Sequence, residues 1–440
     1  MNQGRRVVVT GIGVVTPVGN DKKSFWKSLT EGRSGIGEIT RFDTTDFKVK
    51  IAAEVKNFDP LLYMDKGEAR RQDRFSQYAI AAAEEAMLDS GLFSGAGRSP
   101  EIGKSPNIDP ERLGVYIGSG TGGMETFMEE ARKLLESGPR KVSPFFVPMM
   151  ISNMAAGNTA IRFGAKGPSL PVVTACATST NAIGEAFRAI RGGYADAIIA
   201  GGTEAAILPL SIAGFTNCMA LTLRNDPESA SIPFDRRRDG FVMGEGAGIL
   251  ILEEYEHAKA RGASIYAEVA GYGNTCDAYH MTAPDPDAGC AARAIRMALE
   301  EADAFSVPPE TIYLNAHGTS TPLNDKTETR AVKLAFGESA AGKIHISSTK
   351  SMTGHMLGAA GAIEAAATIL ALCDGIVPPT IGYREKDPEC DLNITPNIRA
   401  EAELLVGLST SLGFGGHDAC IAFRKNPEGL RDSEKTGSGR

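Results

Sequence analysis

The sequence is short of the features that mark several large classes of protein. Its seven cysteines form no CxxC pair and lack the dense spacing of a disulfide scaffold, which favours a reducing compartment. The formal net charge of -8 argues against a general nucleic-acid binder, which needs a basic face for phosphate contacts. No run reaches the roughly 18 apolar residues of a membrane span, and the N-terminus lacks the long apolar core of a signal peptide. The sequence therefore predicts a cytoplasmic protein with no nucleic-acid or membrane partner.

Glycine, in contrast, is abundant, and many of the 50 glycines follow short apolar runs. RVVVTGIG, LGVYIGSGTGG and DAIIAGGTEA each have the pattern of a buried strand that ends in a glycine turn. Helical patterns such as FSQYAIAAAEEAMLDSGL lie between them. Strands that alternate with helices predict an α/β fold, with a mainly parallel sheet and helices on its faces.

The second half of the chain repeats this arrangement of patterns, starting near Tyr266. TACATSTNAIGEAFRAI and STKSMTGHMLGAAGAIEAAATIL both run from a strand through a small polar turn into an alanine-rich helix. We therefore predict two structural copies, an N-terminal half over 1–264 and a C-terminal half over 265–425. The last residues, 426–440, are polar and aperiodic, which predicts a disordered tail.

Cys176 stands where the strand pattern VVT meets the helical pattern of the first half. Backbone N–H groups and the helix dipole at a helix N-terminus favour an anion, so this position is expected to lower the pKa of the thiol. Most free cysteines are simply small core residues, and Cys176 alone would be read that way. A tight strand-to-helix turn rich in small residues is, however, also how an enzyme presents a nucleophile.

Two of the six histidines occupy similar turns in the second half. His317 follows the strand TIYLN, and His355 precedes a helix in STKSMTGHMLGAAG. If the halves pack as pseudo-twofold copies, both imidazoles can meet Cys176 in one site. A thiol with two neutral imidazoles suits acyl chemistry, because the sulfur can accept an acyl group and two N–H donors can stabilise an enolate oxygen. Each histidine considered alone is more often a structural residue.

Four motifs together resemble the β-ketoacyl-acyl-carrier-protein synthases, the condensing enzymes of fatty-acid and polyketide synthesis: TACATS, SIPFDRRRDGFVMGEGAGILILEE, NAHGTSTPLND and STKSMTGHMLGAAGAIE. The resemblance covers nearly the whole chain, from Val7 to Phe423. It implies the thiolase-like fold, with two duplicated βαβαβαββ halves in five layers, in an enzyme that forms a homodimer. DAYHMTAPDPDAG and DRRRDGFVMGEG resemble the type II elongating synthases more than type I.

The resemblance also implies the reaction and its catalytic residues. Cys176 matches the nucleophile that receives an acyl chain from acyl carrier protein as a thioester. His317 and His355 match the pair that supports decarboxylation of malonyl-carrier protein, after which the enolate attacks the acyl-cysteine. The expected activity is 3-oxoacyl-[acyl-carrier-protein] synthase of the acyltransferase class, with substrates on phosphopantetheine and with no metal or redox cofactor.

Further positions match supporting residues of the family. Lys350 matches a lysine near the second histidine, expected to form a charge network with Asp325 and Glu328. Glu364 matches a structural acid in the same region. The N–H groups of Cys176 and Phe414 match an oxyanion hole, and Phe414 in GFGG resembles a gate over the cysteine.

The remaining candidates concern the substrate and the carrier protein. Thr319 and Thr321 match threonines that bind the phosphopantetheine arm, and Ile151 matches a position in the acyl pocket near the dimer interface. Since carrier proteins are acidic, basic residues could steer their docking. These are Lys66, Arg70, Arg71, Arg74, Arg132 and Lys133.

One position departs from the family pattern, and several alternatives stay open. Asp418 stands where many relatives have asparagine after GFGGT or GFGGH, and a carboxylate near Cys176 would oppose thiolate formation unless paired or turned away. Thiolases carry a second cysteine in a late CxG loop, where this chain has GFGG. Enzymes that start chains from acyl-coenzyme A have asparagine in place of His355. A polyketide-type ketosynthase, or a chain-length partner subunit that lacks the nucleophile, is the alternative reading.

Overall fold

The computed structural model describes residues 4–93 and 107–426. Its strands are β1 (Val7–Val15), β2 (Gly37–Glu38), β3 (Ile51–Ala52), β4 (Leu113–Gly118), β5 (Ala197–Glu204), β6 (Gly246–Glu254), β7 (Ala267–Cys276), β8 (Ile312–Asn315), β9 (His345–Ser347), β10 (Ile376–Val377), β11 (Ala400–Glu401), β12 (Val406–Gly413) and β13 (His417–Lys425). Its α-helices are α1 (Lys22–Thr30), α2 (Lys66–Ala69), α3 (Arg74–Asp89), α4 (Met124–Ser137), α5 (Phe146–Met150), α6 (Met154–Phe163), α7 (Thr178–Arg191), α8 (Pro209–Asn217), α9 (Tyr255–Ala260), α10 (Gly289–Glu301), α11 (Pro322–Phe336), α12 (Glu338–Ala341), α13 (Lys350–Thr353) and α14 (Ala360–Asp374). Apart from Asn426, the predicted tail lies outside the described residues.

The main sheet has nine strands in the order β4-β5-β6-β1-β7-β13-β12-β8-β9. In the first half, β4 and β5 are parallel while β6 and β1 add antiparallel strands. The second half mirrors this order, since β8 and β12 are parallel and β13 and β7 follow antiparallel. The halves join where Val7–Val9 of β1 pairs antiparallel with Ala267–Val269 of β7.

The order of elements along the chain shows the duplication. The first half runs β1, α3, β4, α6, α7, β5, β6, and the second runs β7, α10, β8, α11, β9, α14, β12, β13. The counterpart of β9 in the first half is reduced to one parallel bridge between Val115 and Ser169. The predicted thiolase-like fold with a repeated βαβαβαββ unit is therefore confirmed. The prediction of a mainly parallel sheet is wrong, because β6, β1, β7 and β13 join the two halves through antiparallel pairings. The division at 264 and 265, which falls between α9 and β7, stays a prediction.

Two helices, α7 and α14, contact each other in the middle of the molecule, between the strands of the two halves. They approach closely because Gly361 has no side chain: a Cβ there would lie 2.0 Å from Thr180 Oγ1. On the outer faces, α3 packs on β1, β5 and β6, and α10 packs on β7 and β13. Two outer helical layers, the strands of each half and the central helix pair make five layers.

The central helix α14 belongs to the one segment of the described residues that has the length and composition of a membrane span. Leu357–Asp374 is long and apolar enough to cross a membrane, but 94% of that window is buried inside the fold. Its alanines pack against β12, β6 and β13. We therefore assign the segment to the protein core.

Candidate active site

Cys176 lies in a tight turn directly before α7. Ala175 has a φ of 49°, a left-handed conformation that costs a non-glycine residue about 1–3 kcal/mol and that often occurs at functional sites. The end of β12 lies directly against this turn. A Cβ added to Gly413 would be 3.3 Å from the Cys176 backbone nitrogen, which shows how closely the two segments approach. Glycine at this position thus lets residues 413–416, hereafter the Phe414 loop, approach the thiol.

The thiol of Cys176 is uncharged in the resting structure. Burial raises its pKa to about 12, although the Lys350 charge and a hydrogen bond from the Phe414 backbone N–H both lower it. The predicted lowering of this pKa by the helix N-terminus is therefore wrong, since desolvation outweighs the helix dipole here. Acyl transfer then requires a base that removes the thiol proton during the reaction.

His355 is placed to be that base. Its Nε2 atom lies 3.0 Å from Cys176 Sγ. The His355 backbone N–H donates to Val242 O over 2.7 Å, and its carbonyl accepts from Gly244 over 2.8 Å, so both sides of the backbone are held. Burial and the nearby Lys350 charge hold the pKa of His355 well below 6.5. The imidazole is consequently neutral and can accept a proton.

His317 completes the cluster from the end of β8. Its ring centroid lies 5.3 Å from that of His355, with the ring planes at 87°. Burial, followed by the charges of Lys350 and His355, keeps the pKa of His317 well below 6.5. Glu328 positions the turn by accepting the backbone N–H groups of His317 and Gly318, each over 2.7 Å. Two neutral imidazoles therefore face one thiol, as the sequence predicts.

Lys350 forms a buried ion pair with Glu364 of α14. Burial raises the pKa of Glu364, and the Lys350 ammonium lowers it. The predicted network of Lys350 with Asp325 and Glu328 is not formed, because Asp325 instead faces Arg238, with 3.6 Å between Oδ2 and Nε. Lys350 influences the site through its positive charge, which lowers the pKa of both the thiol and the imidazoles.

Glu364→Ala should lower the free energy of unfolding by about 3–5 kcal/mol, because it leaves the Lys350 charge buried without a partner. Calorimetric or denaturant-induced unfolding of the purified variant measures this loss. The control is the double variant Lys350→Met with Glu364→Leu, which removes both charges and should be close to the wild type in stability. A loss below about 1 kcal/mol in the single variant would contradict the pairing.

A cavity of about 350 Å³ opens onto the thiol and both imidazoles. Its wall includes Phe215, Phe241 and Phe414. The Phe241 ring meets the His355 ring edge-on at 5.0 Å, and the Phe215 and Phe414 rings lie 6.4 Å apart. An apolar wall beside a nucleophile suits an alkyl chain. Sequence reasoning missed both Phe215, which lies outside the quoted motifs, and Phe241, which lies within SIPFDRRRDGFVMGEGAGILILEE, because nothing in the letters shows which phenylalanines reach the cavity.

Comparison with family models gives a match across both halves. Residues 4–258 match the model described as "Beta-ketoacyl synthase, N-terminal domain", and residues 266–384 match "Beta-ketoacyl synthase, C-terminal domain". The chain belongs to the β-ketoacyl synthase family. It is a condensing enzyme of the acyltransferase class.

Curated relatives of this β-ketoacyl synthase are similar over nearly their full length. The protein named "3-oxoacyl-[acyl-carrier-protein] synthase 2" of Synechocystis sp. is 52% identical, over 96% of this chain and 98% of the relative. The protein of the same name from Staphylococcus aureus is also 52% identical, over 97% and 99%. A solved ketosynthase in complex with its type II polyketide acyl-carrier protein is 38% identical, with a TM-score of 0.85 over 96% of this chain and 100% of that chain.

Of the three candidates for substrate binding, two lie in the wall of the cavity and one lies outside it. Thr319 and Thr321 line the cavity, with their Oγ1 atoms 3.0 Å apart. Ile151 lies at the end of α5, half-buried, and is not part of this cavity wall. Within the described residues, no group of three or more His, Cys, Asp or Glu side chains is placed to hold a metal ion.

The six basic residues proposed to dock the carrier protein differ in whether their positive charge already forms an ion pair within the chain. Lys66, Arg70 and Arg71 are exposed at and after α2. The other three form ion pairs: Arg74 with Glu125, Arg132 with Glu136, and Lys133 with Glu129 and Glu130. The exposed set around α2 is therefore the more available basic surface.

Asp418 is buried at the start of β13, and its residue is 2% exposed. Burial, followed by the carboxylate of Asp277, raises its pKa to about 8. The charges that act on the Cys176 thiol are those of Lys350, Glu204 and Glu364. Asp418, which stands where many relatives have asparagine, is therefore expected to affect the Phe414 loop and the residues that contact it rather than the charge on the Cys176 thiol.

Proposed function

We propose that this synthase elongates fatty-acyl chains by decarboxylative Claisen condensation of malonyl-carrier protein with an acyl chain held on Cys176. The observation that carries the proposal is the 3.0 Å contact between Cys176 Sγ and His355 Nε2, with His317 in the same cavity. The 52% identity to curated 3-oxoacyl-[acyl-carrier-protein] synthases supports a fatty-acid substrate.

The first half-reaction is acyl transfer to the thiol. Cys176 Sγ attacks the thioester carbonyl of the acyl-carrier protein while His355 Nε2 accepts the thiol proton. The backbone N–H groups of Cys176 and Phe414 hold the oxyanion of the tetrahedral intermediate. The carbon–sulfur bond to phosphopantetheine then breaks, and the departing thiolate takes the proton back from His355.

The second half-reaction makes the new carbon–carbon bond. The malonyl thioester loses carbon dioxide, and the electron pair of the broken bond forms an enolate. Its oxygen accepts hydrogen bonds from a ring N–H of His317 and from Nε2–H of His355, so His355 changes from the Nδ1–H tautomer, which accepts the thiol proton, to the Nε2–H tautomer between the two half-reactions. The enolate carbon attacks the acyl-Cys176 carbonyl, and the bond to Sγ breaks to release the 3-oxoacyl product. Sγ leaves as a thiolate and takes up one proton from water to restore the resting thiol. The positive charge of Lys350 favours the negative charge that develops on both the enolate and the thiolate.

The carrier protein delivers both substrates on phosphopantetheine. Thr319 and Thr321 lie in the cavity wall where such an arm would pass on its way to Cys176. The exposed Lys66, Arg70 and Arg71 are the proposed docking surface, because unpaired positive charge attracts an acidic partner at long range. A similar ketosynthase has been solved with its carrier protein bound, which supports this mode of delivery.

The synthase is further proposed to be a cytoplasmic homodimer. A set of large apolar side chains between residues 145 and 173 is exposed in the single chain, which is typical of an interface. They are Phe145, Val147, Ile161, Leu170 and Val173. Because Ile151 lies in the same region, its predicted place in the acyl pocket requires the second subunit. The reaction moves no electrons to a redox partner, so the proposal includes no metal or cofactor.

The proposal is tested by incubating the purified protein with malonyl-carrier protein and saturated acyl-carrier proteins of graded chain length. We expect 3-oxoacyl-carrier protein two carbons longer than the donor, with one carbon dioxide released per product, by intact-mass spectrometry. Absence of product with every saturated donor would contradict fatty-acid elongation. Product from 3-oxoacyl donors alone would assign the protein to the polyketide-type ketosynthases.

A further inference from the structure

The Phe414 loop is held by a second segment of the cavity wall, residues 277–285, hereafter the Asp277 segment. The Asp277 backbone N–H donates to Gly416 O, and the Gly415 N–H donates to Met281 O, each over 2.9 Å. A Cβ on Gly416 would lie 2.9 Å from the Asp277 Cβ, so the two segments touch. Both line the cavity that opens onto Cys176. The Phe414 loop therefore cannot move away without breaking contacts to the Asp277 segment.

Two carboxyl groups meet beneath these contacts. The pairing of β7 with β13 sets Asp418 opposite Thr275. The Thr275 hydroxyl donates to Cys290 O over 2.7 Å, and its Oγ1 lies 3.4 Å from Asp418 Oδ2. Asp277 lies two residues beyond Thr275, where its backbone N–H continues the pairing by donating to Gly416 O, so Asp277 and Asp418 are diagonal neighbours on one face and both line the cavity. The Asp277 carboxyl accordingly raises the pKa of Asp418 through its charge and a side-chain hydrogen bond. Asp277 Oδ2 accepts the Asp285 backbone N–H over 3.0 Å, but the buried Oδ1 has no hydrogen-bond partner among the described residues. Two ionised carboxylates can only accept, so Oδ1 gains a donor when the other carboxyl carries a proton.

The surroundings of the pair do not neutralise two negative charges. The charged and titratable groups nearby are Asp285 of the Asp277 segment, His280, Cys276 at the end of β7, Cys290 and Arg293 of α10, and His417 beside Gly415. Within residues 4–93 and 107–426, no lysine or arginine forms an ion pair with Asp277, Asp285 or Asp418. Asp418 and Asp277 Oδ1 are buried although the rest of Asp277 is half-exposed, and two neighbouring like charges of which one is buried favour uptake of one proton.

We propose that Asp418 and Asp277 share one proton, and that this carboxyl–carboxylate hydrogen bond holds the Phe414 loop closed over Cys176. Both are positioning residues for the condensation, because they act through the loop that carries Phe414. The inference rests on the proposed function in one respect, since the loop matters to catalysis only if Cys176 accepts the acyl chain.

Closure of the Phe414 loop should weaken as the pH rises, because the closed loop binds one more proton than the open loop. The closed arrangement binds a proton with a pKa of about 8, while an aspartate exposed by loop opening has a pKa of about 3.9. Closure is therefore fully favoured only at acid pH and is lost as the pH rises toward 8. Between about pH 6 and pH 8 the closed-to-open ratio should fall by up to about tenfold per pH unit, and above that it should level off.

Hydrogen–deuterium exchange of peptides that cover 413–418 and 277–285 tests this, with rates corrected for the intrinsic pH dependence of amide exchange. In the wild type, we expect protection of the Gly415 and Asp277 amides to fall by about tenfold or more from pH 6 to pH 8. Asp418→Asn should hold protection constant within about twofold, because an amide donates to Asp277 at every pH. Asp277→Asn should do the same by donating to Asp418.

Two further variants separate the shared proton from a general structural effect. Asp418→Ala has neither donor nor acceptor and should be unprotected at all pH values. Asp285→Asn removes a neighbouring charge but leaves the pair, so its protection should still fall with pH, with a midpoint at lower pH. If Asp418→Ala fails to fold, the test still stands on the pH dependence of amide protection in the wild type compared with Asp277→Asn. A wild-type profile that matches Asp418→Asn across the range would overturn the proposal.

The rate of acyl-adduct formation on Cys176 gives the functional readout. An open loop admits the chain, so the ratio of the wild-type rate to the Asp418→Asn rate should rise by about tenfold or more between pH 6 and pH 8. A ratio that stays constant would overturn the link to catalysis. If the exchange profiles behave as expected but no variant ever forms an adduct, the proposed function fails while the shared proton stands.

Discussion

Cys176→Ala should abolish the covalent acyl adduct and lower the rate of elongation by about 10³-fold or more. The sulfur is the atom to which the acyl chain is transferred, and alanine offers no nucleophile in its place. Incubation with an acyl-carrier protein followed by intact-mass spectrometry should show one acyl group on the wild type and none on the variant. An adduct that persists in Cys176→Ala would place the nucleophile elsewhere.

The chain supplies a matched control in a second thiol of the same cavity. Cys218 also lines the cavity, is exposed, and its Sγ lies 3.3 Å from Phe215 O. Among the residues that the structure describes, Cys218 Sγ contacts no histidine, so Cys218→Ala should leave both adduct formation and elongation within about twofold of the wild type. Cys176→Gln should still decarboxylate malonyl-carrier protein, since it keeps both imidazoles and removes only the nucleophile.

The sequence was sufficient to predict the duplicated fold and the three residues at the centre of the site. The reason is that Cys176, His317 and His355 each stand in a turn of small residues after an apolar segment, a pattern visible in the sequence. The strand predicted at VVT before Cys176 is not formed, since residues 171–174 have no strand pairing and only the bridge of Ser169 to Val115 remains. Parallel strands and pseudo-twofold packing then bring such turns to one place. Phe414, whose backbone N–H donates a hydrogen bond to the thiol, was indicated only by the resemblance to the family.

The features that the sequence did not predict depend on burial and on long-range register. A helix N-terminus suggested an acidic thiol, but desolvation, which depends on the packed protein around Cys176, dominates its pKa. Asp277 and Asp418 lie far apart in the chain, and only the pairing of β7 with β13 brings them together. The partner of Lys350 is likewise decided by the approach of α14, which favours Glu364 over Asp325.

Replacement of the two histidines should separate the half-reactions. His317→Ala removes one donor to the enolate oxygen, and loss of such a donor costs about 10²–10³ in rate. Acylation should change by only a few fold, because it is His355 rather than His317 that contacts Cys176 Sγ. His355→Ala loses the same kind of donor and also the base, so it should slow acylation too, although less than decarboxylation. Carbon dioxide release from malonyl-carrier protein and acyl-adduct formation measure the two steps separately.

Asparagine variants of the two histidines, and an alanine variant of a histidine outside the cavity, test whether the two half-reactions depend on different histidines. Asparagine at either position keeps an N–H donor but no basic nitrogen, so His317→Asn should recover part of the decarboxylation rate, whereas His355→Asn should not recover acylation. His345→Ala, in β9, lies outside the cavity wall and should leave both steps unchanged. Because pKa values well below 6.5 keep both imidazoles neutral, decarboxylation by Asp418→Asn, whose loop should not respond to pH, should show no histidine titration between about pH 6 and pH 7. Equal and total loss of both steps in His317→Ala would contradict the assigned roles, because a residue that only holds the enolate has no part in forming the thioester.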